Sequence, residues 1–84
     1  MANIKSAEKR NRQRSKRRLR NRDAAGRMRT AVKRAQRAIR ERSEQAPELV
    51  RAAERDVHRA VTKGAIHRNK GSRLISRLSR RAAA

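Results

Sequence analysis

The 84-residue sequence contains no cysteine, no phenylalanine, tyrosine or tryptophan, one proline, three glycines and only seven acids. Without cysteine there can be neither disulfides nor thiolate metal ligands. Without aromatics there is no platform on which unpaired bases could stack, so the usual design of a single-strand binder is missing. No apolar run approaches the ~18 residues of a transmembrane helix. The opening Met1-Ala2-Asn3-Ile4-Lys5-Ser6 lacks the apolar stretch of a secretory signal. An Arg-rich, acid-poor start can suggest a mitochondrial presequence, but here the basic bias runs on past residue 40, and the chain reads as cytoplasmic.

What is present is positive charge. Lys and Arg number 27, the formal net charge is +20 and the sequence pI is about 12.0. Residues 1–40 hold 16 bases and two acids, Glu8 and Asp23. Residues 41–56 hold five acids (Glu41, Glu44, Glu48, Glu54 and Asp56) against three bases, and residues 57–84 hold eight bases and no acid. A polyanion is the expected partner, because neutralising closely spaced phosphates releases condensed counterions.

The length allows one domain, residues 1–84, with 1–22 as a basic N-terminal extension of the first helix and 23–84 as an all-α, three-helix bundle. Large apolar side chains are few, enough for a seam between helices and no thick core. Met28, Ala31, Val32, Ala35, Ala38 and Ile39 recur at helical spacing, with Arg27, Arg29, Lys33, Arg34, Arg37 and Arg40 opposite them. Gly26 weakens this helix by roughly 1 kcal/mol relative to alanine. Upstream, the bases between Lys9 and Arg22 spread around the wheel, so the bundle alone is not expected to order residues 8–22. Strong hydrogen-exchange protection there in the free protein would contradict this.

A second helix is expected to start at Pro47, with Glu48 on its positive end, an apolar arc of Leu49, Val50, Ala53, Val57, Ala60 and Val61, and a stop at Lys63-Gly64. A third begins around residues 66–68. It carries Gly71, Leu74, Ile75 and Leu78 on one face and Lys70, Arg73, Arg77 and Arg80 in a separate basic stripe. Short connections make the order up-down-up, with the long first helix extending beyond the bundle.

Other functions find little support. Asp56 and His58 are two apart and point to different sides of a helix. With no nucleophile, metal-ligand set or phosphate loop at useful spacing, neither an enzyme nor a cofactor is expected, and no small-molecule substrate. Asn21, Ala24, Ala25 and Arg29 reproduce most of the basic-zipper pattern, but Met28 replaces its small polar residue. The leucine repeat is also absent: Ile39 is followed at heptad spacing by Ala46 and Ala53, and Pro47 interrupts. A membrane-surface helix would carry larger apolar residues than this alanine and valine face. A nonspecific nucleoid-type DNA binder remains the alternative from composition alone. His67, beside Arg68, Asn69 and Lys70 at a helix start, suits a phosphate or a cap equally.

Three stretches resemble the bacterial small-subunit ribosomal protein S-twenty family. They are Met1-Ala2-Asn3-Ile4-Lys5-Ser6-Ala7 with Lys9-Arg10, then Met28-Arg29-Thr30, and above all Lys63-Gly64-Ala65-Ile66-His67-Arg68-Asn69-Lys70, continuing through Arg73 to Ser76-Arg77-Leu78. The resemblance implies a three-helix bundle in the small ribosomal subunit that binds small-subunit (16S) ribosomal RNA directly. It also implies early binding in assembly that holds RNA segments together, with other small-subunit ribosomal proteins as neighbours. Carried over by position, Asn3, Lys5, Ser6, Lys9, Arg10, Arg29, His67, Asn69, Lys70, Arg73 and Arg77 are the implied RNA contacts. Charge adds Arg12, Arg14, Lys16, Arg17, Arg18, Arg20 and Arg22, and Arg68 joins from its place at the helix start. Two departures stand out. Gly71 replaces the family's usual alanine, which is expected to loosen the third helix, and Ile75 replaces a common basic residue, which removes one expected contact.

Overall fold

Helix formation follows from a sequence with one proline and no strand-like alternation. The computed structural model describes the backbone of residues 2–83 and side chains from residue 4 onward. Its three helices are α1 (Ala2–Arg40), α2 (Ala46–Thr62) and α3 (Arg68–Ala83). At 1.5 Å per residue the 39 residues of α1 extend for about 58 Å, close to the full 62 Å long axis of the molecule. The other two dimensions are 19 and 13 Å.

The packed region is the one that the apolar arcs foretold. Met28, Val32, Ala35, Val50, Ala53, Val57, Ala60 and Leu78 form the core, with Ile39, Leu49, Leu74 and Ile75 half-buried against it. Ala24 and Ala38 are buried as well, so the arc of α1 begins one turn earlier than its pattern suggested. The central helix is α2, against which both of the others make most of their contact. Ile4 and Leu19 take no part in the core, each remaining 60% exposed.

Both turns close with the same backbone device. After α1, the Ser43 N–H donates to Ala38 O at 3.0 Å and the Arg42 N–H to Ile39 O at 3.2 Å. After α2, the Ala65 N–H donates to Ala60 O at 2.8 Å and the Gly64 N–H to Val61 O at 3.0 Å. Each pair is a Schellman motif, which needs a left-handed residue just past the helix. Gly64 takes that conformation freely at φ 76°, whereas Arg42 adopts it at φ 51° against the clash of its own Cβ. Ser43 then turns the chain, its carbonyl accepting from the Ala46 N–H and its hydroxyl from the Gln45 N–H. α2 starts at Ala46, with Pro47 one residue inside, where a missing N–H costs nothing.

Gly71 corrects the expectation of a loosened third helix. It is buried, and a Cβ there would lie 2.6 Å from Val61 Cγ2 and 3.3 Å from Val57 Cγ1. The missing side chain is filled by two valines of α2, so the contact is close packing without a void. Ile75 is half-buried against the core, and an apolar residue there is explained by packing.

Candidate nucleic-acid interface

Residues 4–20 all have exposed side chains. This places Lys5, Ser6, Lys9, Arg10, Arg12, Arg14, Lys16, Arg17, Arg18 and Arg20 on a free rod about 25 Å long. Asn3 lies in the first turn of α1, and its side chain falls outside the described residues. Arg22 and Arg29 are exposed where α1 joins the bundle. Among the described residues two ion pairs lie within 4.0 Å, Arg37–Glu41 at 3.0 Å and Arg59–Asp56 at 3.8 Å. Both are local pairs three or four residues apart, the first exposed and the second with a half-buried Asp56, and such pairs add little stability. None of the rod's cations has a carboxylate in that range.

The wheel is less uniform than the sequence pattern suggested. Ile4, Glu8, Asn11, Ser15, Leu19, Asp23, Gly26 and Thr30 succeed one another at three- and four-residue steps, so they abut along one side of α1. No base occupies this row and both acids of α1 lie on it, while Arg12 and Arg22 flank it within the same arc of the wheel. The cations of the rod cover roughly two-thirds of the circumference at about 100° per residue.

The other implied contacts gather on α3. His67 precedes the helix and acts as its cap, its Nδ1 accepting from the Asn69 N–H at 3.1 Å. The ring thus satisfies one of the N–H groups that a helix start leaves unpaired, and Nε2 stays available to a partner. The two roles weighed for this residue are therefore compatible. Lys70, Arg73 and Arg77 stand around half-buried Leu74 and enclose a cleft of about 190 Å³ with it. His67, Arg68 and Asn69 are exposed beside them.

The structure adds residues that the sequence reading did not single out as contacts. Arg27 and Lys63 meet Arg20, Asp23 and Ala24 around a cleft of about 120 Å³, where the α2–α3 turn touches α1. Arg27 could have been found as the residue two turns beyond Arg20. Lys63 could not, because only the folding back of α2 brings it there. Arg27 also lines a wider, open groove of about 710 Å³, together with Arg22, Asp23, Gly26, Thr30, Arg34 and Asp56.

Nothing in this geometry is built for catalysis. No group of three or more potential metal-binding side chains occurs among the described residues, and His58 is exposed on α2. No helix of the described residues is long and apolar enough to cross a membrane. No buried side-chain nitrogen or oxygen among them lacks a hydrogen-bond partner. What the described residues present is an outward-facing polycation on an all-helical frame.

Comparison with known proteins makes this specific. The family described as ribosomal protein S20 matches residues 2–83. The chain is 45% identical over 82 residues to the small ribosomal subunit protein bS20 of Persephonella marina, covering 96% of this chain and 89% of that protein. It is 48% identical over 81 residues to the protein of that name from Roseiflexus sp., with 96% and 89% covered. With the Lysinibacillus sphaericus protein the identity is 43% over 82 residues, covering 98% of this chain and all of the relative. The chain belongs to the ribosomal protein S20 family, whose members are structural proteins and not enzymes.

Proposed function

We propose that this chain is a structural constituent of the small ribosomal subunit that binds 16S ribosomal RNA directly and helps assembly by holding RNA segments together. It works on the ribosome in the cytoplasm, with other small-subunit proteins as neighbours. The observation that carries this reading is the free rod, where every side chain from Ile4 to Arg20 is exposed and no carboxylate of the described residues pairs with one of its cations. Such a segment has its complement in phosphate, on more than one side at once. The Lys70–Arg77 stripe of α3 supplies a second contact surface, so the molecule can hold two RNA segments.

Arginine suits this task, since its planar fork bridges phosphate oxygens and stacks on bases, partly replacing the missing aromatics. The deep major groove of A-form RNA is closed to side chains, so recognition is of backbone and shape. If ~10 phosphates are neutralised, log affinity falls with log salt at a slope of roughly −7 to −9. A titration of small-subunit ribosomal RNA from low to moderate salt measures this, and a slope near −2 would sink the mechanism. A nonspecific DNA compactor would bind duplex DNA as tightly as this RNA at matched salt.

A further inference from the structure

We infer that the non-basic stripe of α1, from Leu19 through Asp23 and Gly26 to Thr30, is the surface on which the sugar edge of an RNA helix seats, with Gly26 at the closest approach. This rests on the proposed binding to ribosomal RNA and names the part of the RNA that this face takes.

Gly26 has no reason internal to the fold. It lies within α1 without a positive φ, it is exposed, and a Cβ built on it would meet nothing within 4 Å. Glycine destabilises an exposed helix relative to alanine. Its benefit is a bare stretch of backbone, open to close approach from outside. Gly26 is one of the residues that line the open 710 Å³ groove.

The chemistry around it is a set of acceptors between donors. Asp23 and Asp56, the latter also paired with Arg59, line the groove together with Arg22, Arg27 and Arg34. The Thr30 hydroxyl donates to Gly26 O at 3.0 Å, so its lone pairs face outward as acceptors. A carboxylate placed toward phosphates would be repelled, yet Asp23 lies on this stripe and Glu8 on its continuation toward the N-terminus. They suit a hydroxyl donor, and the wide, shallow minor groove of A-form RNA displays a row of 2′-hydroxyls between two lines of phosphate. Leu19, 60% exposed, offers apolar contact to ribose carbons on the same strip. DNA has no 2′-hydroxyl, so this face also favours RNA.

The experiment compares Gly26→Ala, Asp23→Asn and Leu19→Arg with the wild-type full chain. It reads the thermal midpoint and the affinity for a small-subunit ribosomal RNA transcript and a length-matched DNA duplex at one salt concentration. Gly26→Ala is expected to raise the midpoint by about 4–8 °C as helix propensity improves, while RNA binding weakens severalfold. Asp23→Asn and Leu19→Arg each raise the net charge by one, yet are expected to weaken RNA binding about tenfold, the scale of a lost charged hydrogen bond or a blocked seat. Both are expected to tighten DNA binding. RNA binding that is tighter or unchanged in these variants overturns the inference, since charge alone would then govern the stripe. A wild-type chain that binds RNA and DNA equally refutes the proposed function instead.

Discussion

The two halves of α1 share one continuous backbone and face different tasks. From Ala24 onward a buried residue recurs every three or four positions, and the helix is held by α2 and α3. Up to Arg20 no described side chain is even half-buried. The downstream half encodes the fold, and the upstream half is the one proposed to meet the RNA. One helix can therefore be stable at one end and conditional at the other. The boundary falls where the α2–α3 turn reaches α1, at the cleft of Arg20, Arg27 and Lys63.

The largest test of this division removes the rod. Deleting residues 1–20 takes away nine Lys and Arg, and affinity for ribosomal RNA near 0.1 M salt is expected to fall by about a thousandfold or more. The thermal midpoint of the bundle should barely move, and a drop as large as that of a core mutation would erase the comparison. The complementary change is Leu78→Ala, at a side chain only 1% exposed. It should cost about 2–5 kcal/mol in denaturant unfolding, while the salt slope of RNA binding by the folded fraction stays the same.

Smaller changes sharpen the bundle side. Gly71→Ala forces a methyl against Val61 and is expected to cost about 1–3 kcal/mol through overpacking. Adding Val61→Ala should recover part of that loss, which a double-mutant cycle would measure. Last, Arg42→Gly should stabilise the chain by roughly 1 kcal/mol by relieving a left-handed Arg. Gly64→Ala at the equivalent place should lose a similar amount. If Arg42→Gly destabilises, the arginine side chain contributes something that the turn geometry alone does not explain.

Much of the fold was legible because burial follows helical spacing. The arcs of Met28–Ile39, Leu49–Val61 and Gly71–Leu78 each name their own packed face, and Lys63-Gly64 names its own stop. The end of α1 was harder to assign. Its cap sits on Arg42, a residue with no left-handed preference, and only the hydrogen bonds of Ser43 and Arg42 reveal the motif. Gly71 was misread because a glycine in a helix signals weakness until its neighbours are known. The rod was legible from charge, whereas the meeting of Arg27 with Lys63 depends on a chain reversal that no local pattern carries. The non-basic stripe was present in the residue spacing but hidden by the abundance of arginine around it.

The seam between the helices is made largely of alanine, with Ala35, Ala53 and Ala60 fully buried. Small side chains let helix axes approach toward the near end of their usual ~8–10 Å range, and the molecule is only 13 Å through its shortest dimension. The bundle is in effect a thin plate with charge on its outer surfaces. Alanine here sets the spacing of the helices, and with it the spacing of the charges they carry, as well as a stability. Enlarging the seam residues would push the helices apart and shift those charges relative to one another without altering a single one.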